Sequence, residues 1–575
     1  MDSTRQTLFL GNLLADYQQE LKTIREQQLL KRLWGQDVAL WPGEATAVPH
    51  LKTNLEFLHI PERLPQILAG ALHADSELLT EGLTDRIVIS FGSVYHFCKA
   101  LSNLCPDTQP LKFIILDSCH PGAIREVESQ VNSSKMLVAL VNKSAYRLED
   151  HALFLYFQKK LQSEVPGSTA GQFVAASDSH TFLARTAAEY HFRYFLELPS
   201  GIVAPYCSVI HLTLLLKVFA GVDLEALRIA CREMIKLDAA SGSIAETPAS
   251  EIAAFLSATA ESGRRFVCFL SSPELAPFTS ALSRLVGGSL GKQGGLFPLV
   301  NTVPCETEPW EMAASFIVLR NGAKKEGEVE DCLSRLRSRS LPFLEGTVQD
   351  PLDLLRHTFR WQIGTVLASA CLGLDPFDLT EPQLARTMAA EMLNTLSPQN
   401  DTLQRRPRIQ ERQIQLFAEA RARQEISQLN LTECLVSFLE KRRAATYLGL
   451  FVYLEPDGET LAEFTALRER LAQALKLPVL LAWGPRSLDT FGYLFRENAP
   501  QGFHVVVTGD VEADIKIPGA NYTFGQMYQA SAIGHFEALS AGGSLTMRLQ
   551  LSSPLSDALA QLQKAMHQAL RRVAP

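Results

Sequence analysis

The feature that most constrains this chain is a recurring unit. A short, unbroken apolar run rich in β-branched and aromatic residues is followed by a turn and then by a helical pattern. The first run is Arg86-Ile-Val-Ile-Ser-Phe91, followed by Gly92. Lys112-Phe-Ile-Ile-Leu-Asp117 repeats it, with Pro121 and Gly122 opening the next helix. Met136–Val141, Gln172–Ala176 and Tyr194–Leu198 continue the series, and a helix from Val209 to Val222 closes it. Strands buried on both faces read as continuous apolar runs, so this pattern predicts βαβ units around a parallel sheet. The Ala-, Ser-, Thr- and Gly-rich stretch Asp238–Ser250 reads as a connector. A second series follows at Arg265–Leu270, Ser315–Leu319, Tyr447–Leu454, Val479–Leu481 and Gly502–Val507, interrupted by helices from Asp353 to Leu396. The expected fold class is therefore α/β, with two doubly wound parallel-sheet domains and flanking helices.

The expected division is an N-terminal helical segment over 1–80, a first α/β domain over 81–240 and a second over 241–575. The second domain would carry a helical insertion at 398–430 and a C-terminal amphipathic helix from Leu555 to Leu570. Leu10, Leu14, Tyr17, Leu21 and Ile24 recur in steps of four and three, as in a helix docked on the main body. The stretch Arg405–Arg423 is rich in arginine and reads as a solvated helix face or a mobile insertion.

Composition narrows the function. A chain of 575 residues is too long for one core of ordinary size. The net charge is −8, from 54 basic and 62 acidic residues, which argues against nucleic acid as the main partner. No apolar run reaches the roughly 18 residues of a membrane span, and no signal peptide is visible, so a cytoplasmic protein without a membrane partner is expected. Ten scattered cysteines with no C-x-x-C pair suggest neither a disulfide scaffold nor a zinc ribbon. His96 near Cys98, and Cys119 beside His120, lack metal-ligand spacing, so no metal and no cofactor are expected. A Ser-hydrolase elbow is absent. Gly287-Gly-Ser-Leu-Gly-Lys292 is one residue short of a P-loop, and Gln293 stands where Ser or Thr would bind magnesium. Ser90-Phe-Gly-Ser-Val-Tyr95 does not match a dinucleotide fingerprint.

The order of elements resembles the glucose-6-phosphate isomerase portion of bacterial bifunctional transaldolase/glucose-6-phosphate isomerases, which consists of two sugar-isomerase (SIS) α/β domains. The resemblance runs from about Arg32 to the C-terminus, and the transaldolase portion has no counterpart. Arg32–Trp41 is similar to the family's opening segment, and Asp117-Ser118 to its L-D-S turn. Phe359-Arg-Trp361 and Leu374-Asp-Pro-Phe-Asp378 resemble F-R-W and N-P-F-D. Gly484-Pro-Arg486 and Pro518–Gly525 resemble G-P-R and P-G-x-x-Y-T-F-G.

The resemblance implies a reaction that moves a proton between C1 and C2 of an open-chain sugar phosphate. That needs a carboxylate base, cations for the enediolate, a ring-opening acid–base group and a hydroxyl-rich phosphate cradle. Carried over motif by motif, much of this set is replaced. The first phosphosugar loop, G-G-S-S in the family, reads Gly92-Ser-Val-Tyr95. The phosphate loop keeps Lys143, Ser144 and Glu149, but Tyr146, Arg147 and Leu148 stand at its threonine positions. Arg147 could supply a cation in their place. Pro205 occupies the position of the enediolate arginine, and Gly288 that of the glutamate base, with Ser289 and Lys292 following. Arg386 stands for the lysine, Asp489 for the ring-opening histidine and Phe495 for a second histidine. Loss of a positioned base alone costs ~10²–10⁴ in rate. The expected function is thus an isomerase-like protein that has lost isomerase activity and binds a sugar derivative or a protein partner. The alternative is an active sugar-phosphate isomerase in which Glu149 or Asp489 reaches C1–C2. A changed ligand is a third reading, since Tyr95, Tyr146, Phe491 and Phe495 would make the old pocket more aromatic. Candidate ligand-binding residues are Ser93, Lys143, Ser144, Arg147, Ser289, Lys292, Arg386 and Arg486.

Overall fold

The computed structural model describes residues 6–41, 48–105, 112–143, 147–165, 170–218, 221–238, 247–292, 295–302, 312–322, 324, 327–379, 383–397, 403, 405–418, 430–441, 445–486 and 502–573. The chain divides into two compact units. Unit 1 comprises residues 1–117, 130–306 and 311–379; unit 2 comprises 118–129, 307–310 and 380–575.

Unit 1 begins with strand β1 (Gln6–Phe9) and helix α1 (Leu14–Glu26). Of the apolar stripe expected on that helix, Tyr17 and Ile24 are buried, while Leu14 is 48% exposed and lies off the packed face. The first series of apolar runs forms β2 (Asp85–Ile89), β3 (Lys112–Leu116), β4 (Met136–Val141), β5 (Phe173–Ser177) and β6 (Tyr194–Glu197). They make one parallel sheet in the order β3-β2-β4-β5-β6. Ile87 lies opposite Ile114 on one side and Val138 on the other, and Ile87 and Val138 are fully buried. Helices α2 (Ser93–Leu104), α3 (Leu148–Glu164) and α4 (Ser208–Val218) belong to this series. The order is that of a doubly wound sheet whose switch point falls between β2 and β4, and ligand crevices form at the carboxyl edge of such a point.

The second sheet of unit 1 follows helix α5 (Pro248–Glu261). It contains β7 (Phe266–Ser271), β8 (Phe297–Thr302), β9 (Ala314–Asn321) and β10 (Phe343–Val348), with α6 (Ala276–Leu290) and α7 (Pro351–Cys371). The order is β1-β10-β9-β7-β8, parallel throughout except for β1, which pairs antiparallel with β10 at one edge. The F-R-W landmark lies in α7, with Phe359, Arg360 and Trp361 all fully buried. Of the expected connector Asp238–Ser250, residues 239–246 lie outside the described residues. Its near end is tied down, because the Asp238 carboxylate accepts the Ala249 N–H at 3.1 Å.

Unit 2 carries helix α8 (Gln383–Thr395), β11 (Ile409–Glu411), β12 (Ile414–Ala418), α9 (Leu431–Leu439), β13 (Tyr447–Tyr453), β14 (Val479–Trp483), β15 (Gly502–Gly509), α10 (Phe524–Ala541), β16 (Leu545–Leu551) and α11 (Leu555–Val573). Its sheet runs β11-β12-β16-β15-β13-β14. A capping box between Thr523 and Gln526 starts α10.

Two expectations change here. The second series of runs is divided between two sheets, with β7 and β9 in one and β13, β14 and β15 in the other. An apolar run records that a strand is buried, not which strand it pairs with. The expected helical insertion at 398–430 contains a β-hairpin: Ile414, Leu416 and Ala418 alternate toward the core, a period of two. Residues 398–402, 404 and 419–429 of that insertion lie outside the described residues. Among the described residues, no helix is long and apolar enough to cross a membrane.

Candidate functional site

The carboxyl edge of the first sheet gathers several of the residues singled out in the sequence. At the end of β2 the chain turns through Gly92 with φ +86°. A Cβ there would meet the guanidinium of Arg284 from α6, the mobile end of a long side chain, so it is the backbone conformation that requires glycine. Ser93 begins α2 and is half-buried. Arg284 was not among the residues the sequence singled out. Its only signal is a lone cation in an otherwise small and apolar helical stretch.

At the end of β4, Lys143 is 6% exposed, and its ammonium donates to the Asp178 carboxylate beyond β5. Burial raises the Asp178 pKa, and the Lys143 bond opposes that rise. Cys207 and His211 lie within the field of this pair. Burial first, and then the Lys143 charge, lowers the His211 pKa to about 4, so its imidazole is neutral at pH 7. Burial pushes the Cys207 thiol up to about 12, leaving it an inert thiol. Arg147 lays its guanidinium over the Phe91 ring at 5.3 Å. It is half-buried and lines a small recess with Asn142, Asp150 and His151.

Pro205 sits in the short turn Ala204–Cys207, where its carbonyl accepts the Gln362 side-chain amide at 2.7 Å. The next residue, Tyr206, is fully buried and shares a 2.8 Å hydrogen bond with the Ser289 hydroxyl. Burial raises the Tyr206 pKa far above the ordinary phenol range. Gly288 lies in the last turn of α6, where a Cβ would meet the Leu379 side chain at 3.0 Å. Lys292 donates to the Asp375 carbonyl and stands 3.7 Å from the Asp378 carboxylate. Unit 1 therefore brings together the Tyr206–Ser289 bond, Pro205 and Gly288, and the turn at Ala204–Cys207 joins them to the Lys143–Asp178 pair.

Arg386, in α8, and Arg486, after β14, belong to unit 2. Arg486 lies near Tyr528, whose hydroxyl donates to the Gly484 carbonyl at 3.0 Å. A Cβ on Gly484 would collide with the Tyr453 ring, so the G-P-R landmark is a packing feature here. Nearby, His120 and Glu455 pair at 2.7 Å. Ser144, Tyr146, Asp489, Phe491 and Phe495 lie outside the described residues. Among the described residues, no group of three or more His, Cys, Asp or Glu side chains is arranged to hold a metal ion.

The edge of the first sheet offers hydroxyls, amides and guanidinium groups to a polar ligand. Of its carboxylates, Asp178 is bonded to Lys143 and Asp150 to the Asn142 amide, so these two are poorly placed as free bases, while Glu149 is half-buried in the first turn of α3 and Asp117 is buried just after β3.

No protein-family model and no curated protein matches the sequence. Solved structures do match in fold. A hypothetical protein of Thermus thermophilus aligns over 67% of this chain and 99% of that one, at 17% identity and a TM-score of 0.56. A glucose-6-phosphate isomerase from Chlamydia trachomatis aligns over 68% and 86% of the two chains, at 15% identity and a TM-score of 0.47. The tagatose-6-phosphate ketose/aldose isomerase from Escherichia coli aligns over 55% and 93%, at 12% identity and a TM-score of 0.40. The likeness to the Thermus protein is one of fold: parallel sheets with helices around them. Chemistry has to be argued from the site itself.

Proposed function

We propose that the chain is a phosphosugar-isomerase-type protein without isomerase turnover, which holds a sugar derivative at the carboxyl edge of its first sheet. The observation that carries this reading is Gly288. It stands where the resemblance puts the catalytic base, and its Cα is packed close to Leu379 beside the Ser289–Tyr206 bond. No proton acceptor is available at that position. Pro205, at the position of the enediolate cation, offers neither charge nor N–H donor and is fixed by Gln362. Together the two losses remove a base and an electrostatic stabiliser, each worth ~10²–10⁴ and ~10²–10³ in rate. Arg284, Arg147 and Ser93 remain as polar groups near the β2–β4 switch point, which suits retained binding of an anionic sugar derivative.

The test is a coupled assay of glucose 6-phosphate to fructose 6-phosphate conversion, with calorimetric titration of both sugars on the same sample. The expected result is no turnover together with saturable binding that Arg284→Ala weakens. Turnover at an ordinary rate of ~1–10³ s⁻¹ would overturn the reading and restore the active-isomerase alternative.

A further inference from the structure

The sheet of unit 2 has two unlike faces. Ile414, Leu416, Met547, Leu549, Val505 and Val507 point into the apolar core that also contains residues of α9 and α11. Side chains alternate along a strand, so their neighbours must point the other way. Those neighbours are Gln415, Phe417, Arg548, Gln550 and Thr508. They stand in register, with Gln415 opposite Gln550 and Gln550 opposite Thr508, and with Phe417 opposite Arg548. A polar row on a sheet face is ordinary when it meets water. This one lines a cavity of about 430 Å³ that Gln526, Gln529 and Ile533 of α10 also line.

Arg548 is the unusual member. It is 4% exposed, and its Nη1 donates to Gln550 Oε1 at 3.1 Å and to Thr508 Oγ1 at 3.3 Å. Its guanidinium lies on the Phe417 ring at 3.9 Å. Its Nε is buried without an acceptor, and no carboxylate among the described residues bonds to it. Burial, aided by the Arg405 charge and opposed by the Glu537 carboxylate, lowers its pKa only to about 10, so it keeps its charge at pH 7. Arg405 lines the same cavity, paired with Glu537 at 3.0 Å and 40% exposed. The acidic group on the cavity wall is Asp510, which is already engaged by Gln550 Nε2 at 3.0 Å and by the Ser553 N–H at 3.2 Å. A buried cation with only neutral partners is costly to keep unless something else neutralises it. The cavity falls in the size range of small-molecule sites. Amide side chains donate and accept, and so match hydroxyl groups.

We propose that this cavity binds a small hydroxylated anion of the sugar-acid or sugar-phosphate kind. Its carboxylate or phosphate would sit against Arg548 and Arg405, and its hydroxyls against the glutamine amides. The site lies within unit 2 and does not rest on the reading of unit 1.

Calorimetric titration of the full chain with D-gluconate and with glycerol 3-phosphate, and with neutral glucitol as control, tests this. At least one anion is expected to bind saturably and glucitol is not; which anion binds distinguishes carboxylate from phosphate. Hydrogen exchange with the ligand bound should protect residues 545–551 and 502–509, which separates this site from any binding in unit 1. Arg548→Gln should weaken binding about tenfold or more, since charge-assisted bonds are the strong ones. Should Arg548→Gln fail to fold, Arg405→Gln and Gln529→Leu carry the same test from half-buried or exposed positions, each with about a threefold or greater loss expected. The proposal is overturned if neither anion binds, if glucitol binds equally well, or if the protected amides lie only in unit 1. It is equally overturned if Arg405→Gln and Gln529→Leu both leave binding unchanged.

Discussion

In unit 1, Lys143 is nearly fully buried with the Asp178 carboxylate bonded to it, and Arg360, fully buried, has Asp238 at 3.6 Å. In unit 2, Arg548 is just as deeply buried among a glutamine, a threonine and a phenyl ring. The same cost, removing a cation from water, is met in one place by a directly bonded counter-charge and in the other by neutral contacts, with Glu537 acting only from beyond bonding distance. A buried cation already matched by a carboxylate has little left to offer an anion. A buried cation matched only by neutral groups is still poised for one. The residues picked out through the sugar-isomerase resemblance include Lys143 and Lys292, which are committed internally, while Arg548 lay outside that set.

The comparison is open to direct attack. The largest effect should come from Asp178→Ala, which removes the carboxylate bonded to the buried Lys143. Loss of one partner of a buried pair costs ~3–5 kcal/mol, read from urea denaturation of unit 1. A loss below about 1 kcal/mol would mean that water reaches Lys143 and that the pair is not what neutralises it.

Acid should separate the units next. His504 and His535 are fully or almost fully buried in unit 2, bonded to the Tyr447 and Tyr453 hydroxyls at 2.8 and 3.0 Å. Burial lowers both pKa values to about 3, against about 4 for His211 in unit 1. A depressed pKa contributes stability that is complete above the unfolded value of about 6.5 and is lost as pH falls toward the folded value. Between pH 6.5 and 5, each such histidine costs between about 1 and 2 kcal/mol, so unit 2 should lose about 3 kcal/mol from its pair and unit 1 about half as much from His211. Hydrogen exchange of amides in each unit at the two pH values checks this, and equal losses would break the contrast.

The smallest effect has the opposite sign. Arg548→Met, without ligand, should raise the stability of unit 2 by about 1 kcal/mol, because it removes a buried charge that no carboxylate contacts from a site already carrying the Phe417 ring. A loss of about 2 kcal/mol or more in thermal or urea unfolding would show that Gln550 and Thr508 compensate Arg548 fully.

How much of this was legible in the sequence follows from the same physics. The runs at Ile87–Ile89, Val138–Val141 and Leu448–Tyr453 could be read as strands because burial on both faces leaves no polar interruptions. β16, Leu545-Thr-Met-Arg-Leu-Gln-Leu551, does not stand out as a run, because Thr546, Arg548 and Gln550 interrupt it. The alternation was itself the signal: a polar face on a central strand that is nonetheless buried. β12 was lost in the same way, inside a stretch whose arginines suggested a solvated helix. At the edge of the first sheet, the loop residues Gly92 and Lys143 were found through the resemblance. Asp178 and Arg284 were not, because a partner distant in the chain leaves no mark on local pattern.

The edge strand β1 has a consequence for how the chain is made. Gln6–Phe9 pairs with Phe343–Gly346, so its partner leaves the ribosome more than three hundred residues later. At ~5–20 residues per second, the N-terminal strand waits on the order of tens of seconds before it can dock. Until then the edge of β10 it will cover does not exist. Once β10 has emerged, that edge is a bare template until β1 arrives. The second sheet of unit 1 can be completed only by a segment synthesised before any other part of it, so a nascent chain crowded by its neighbours is vulnerable at that one edge.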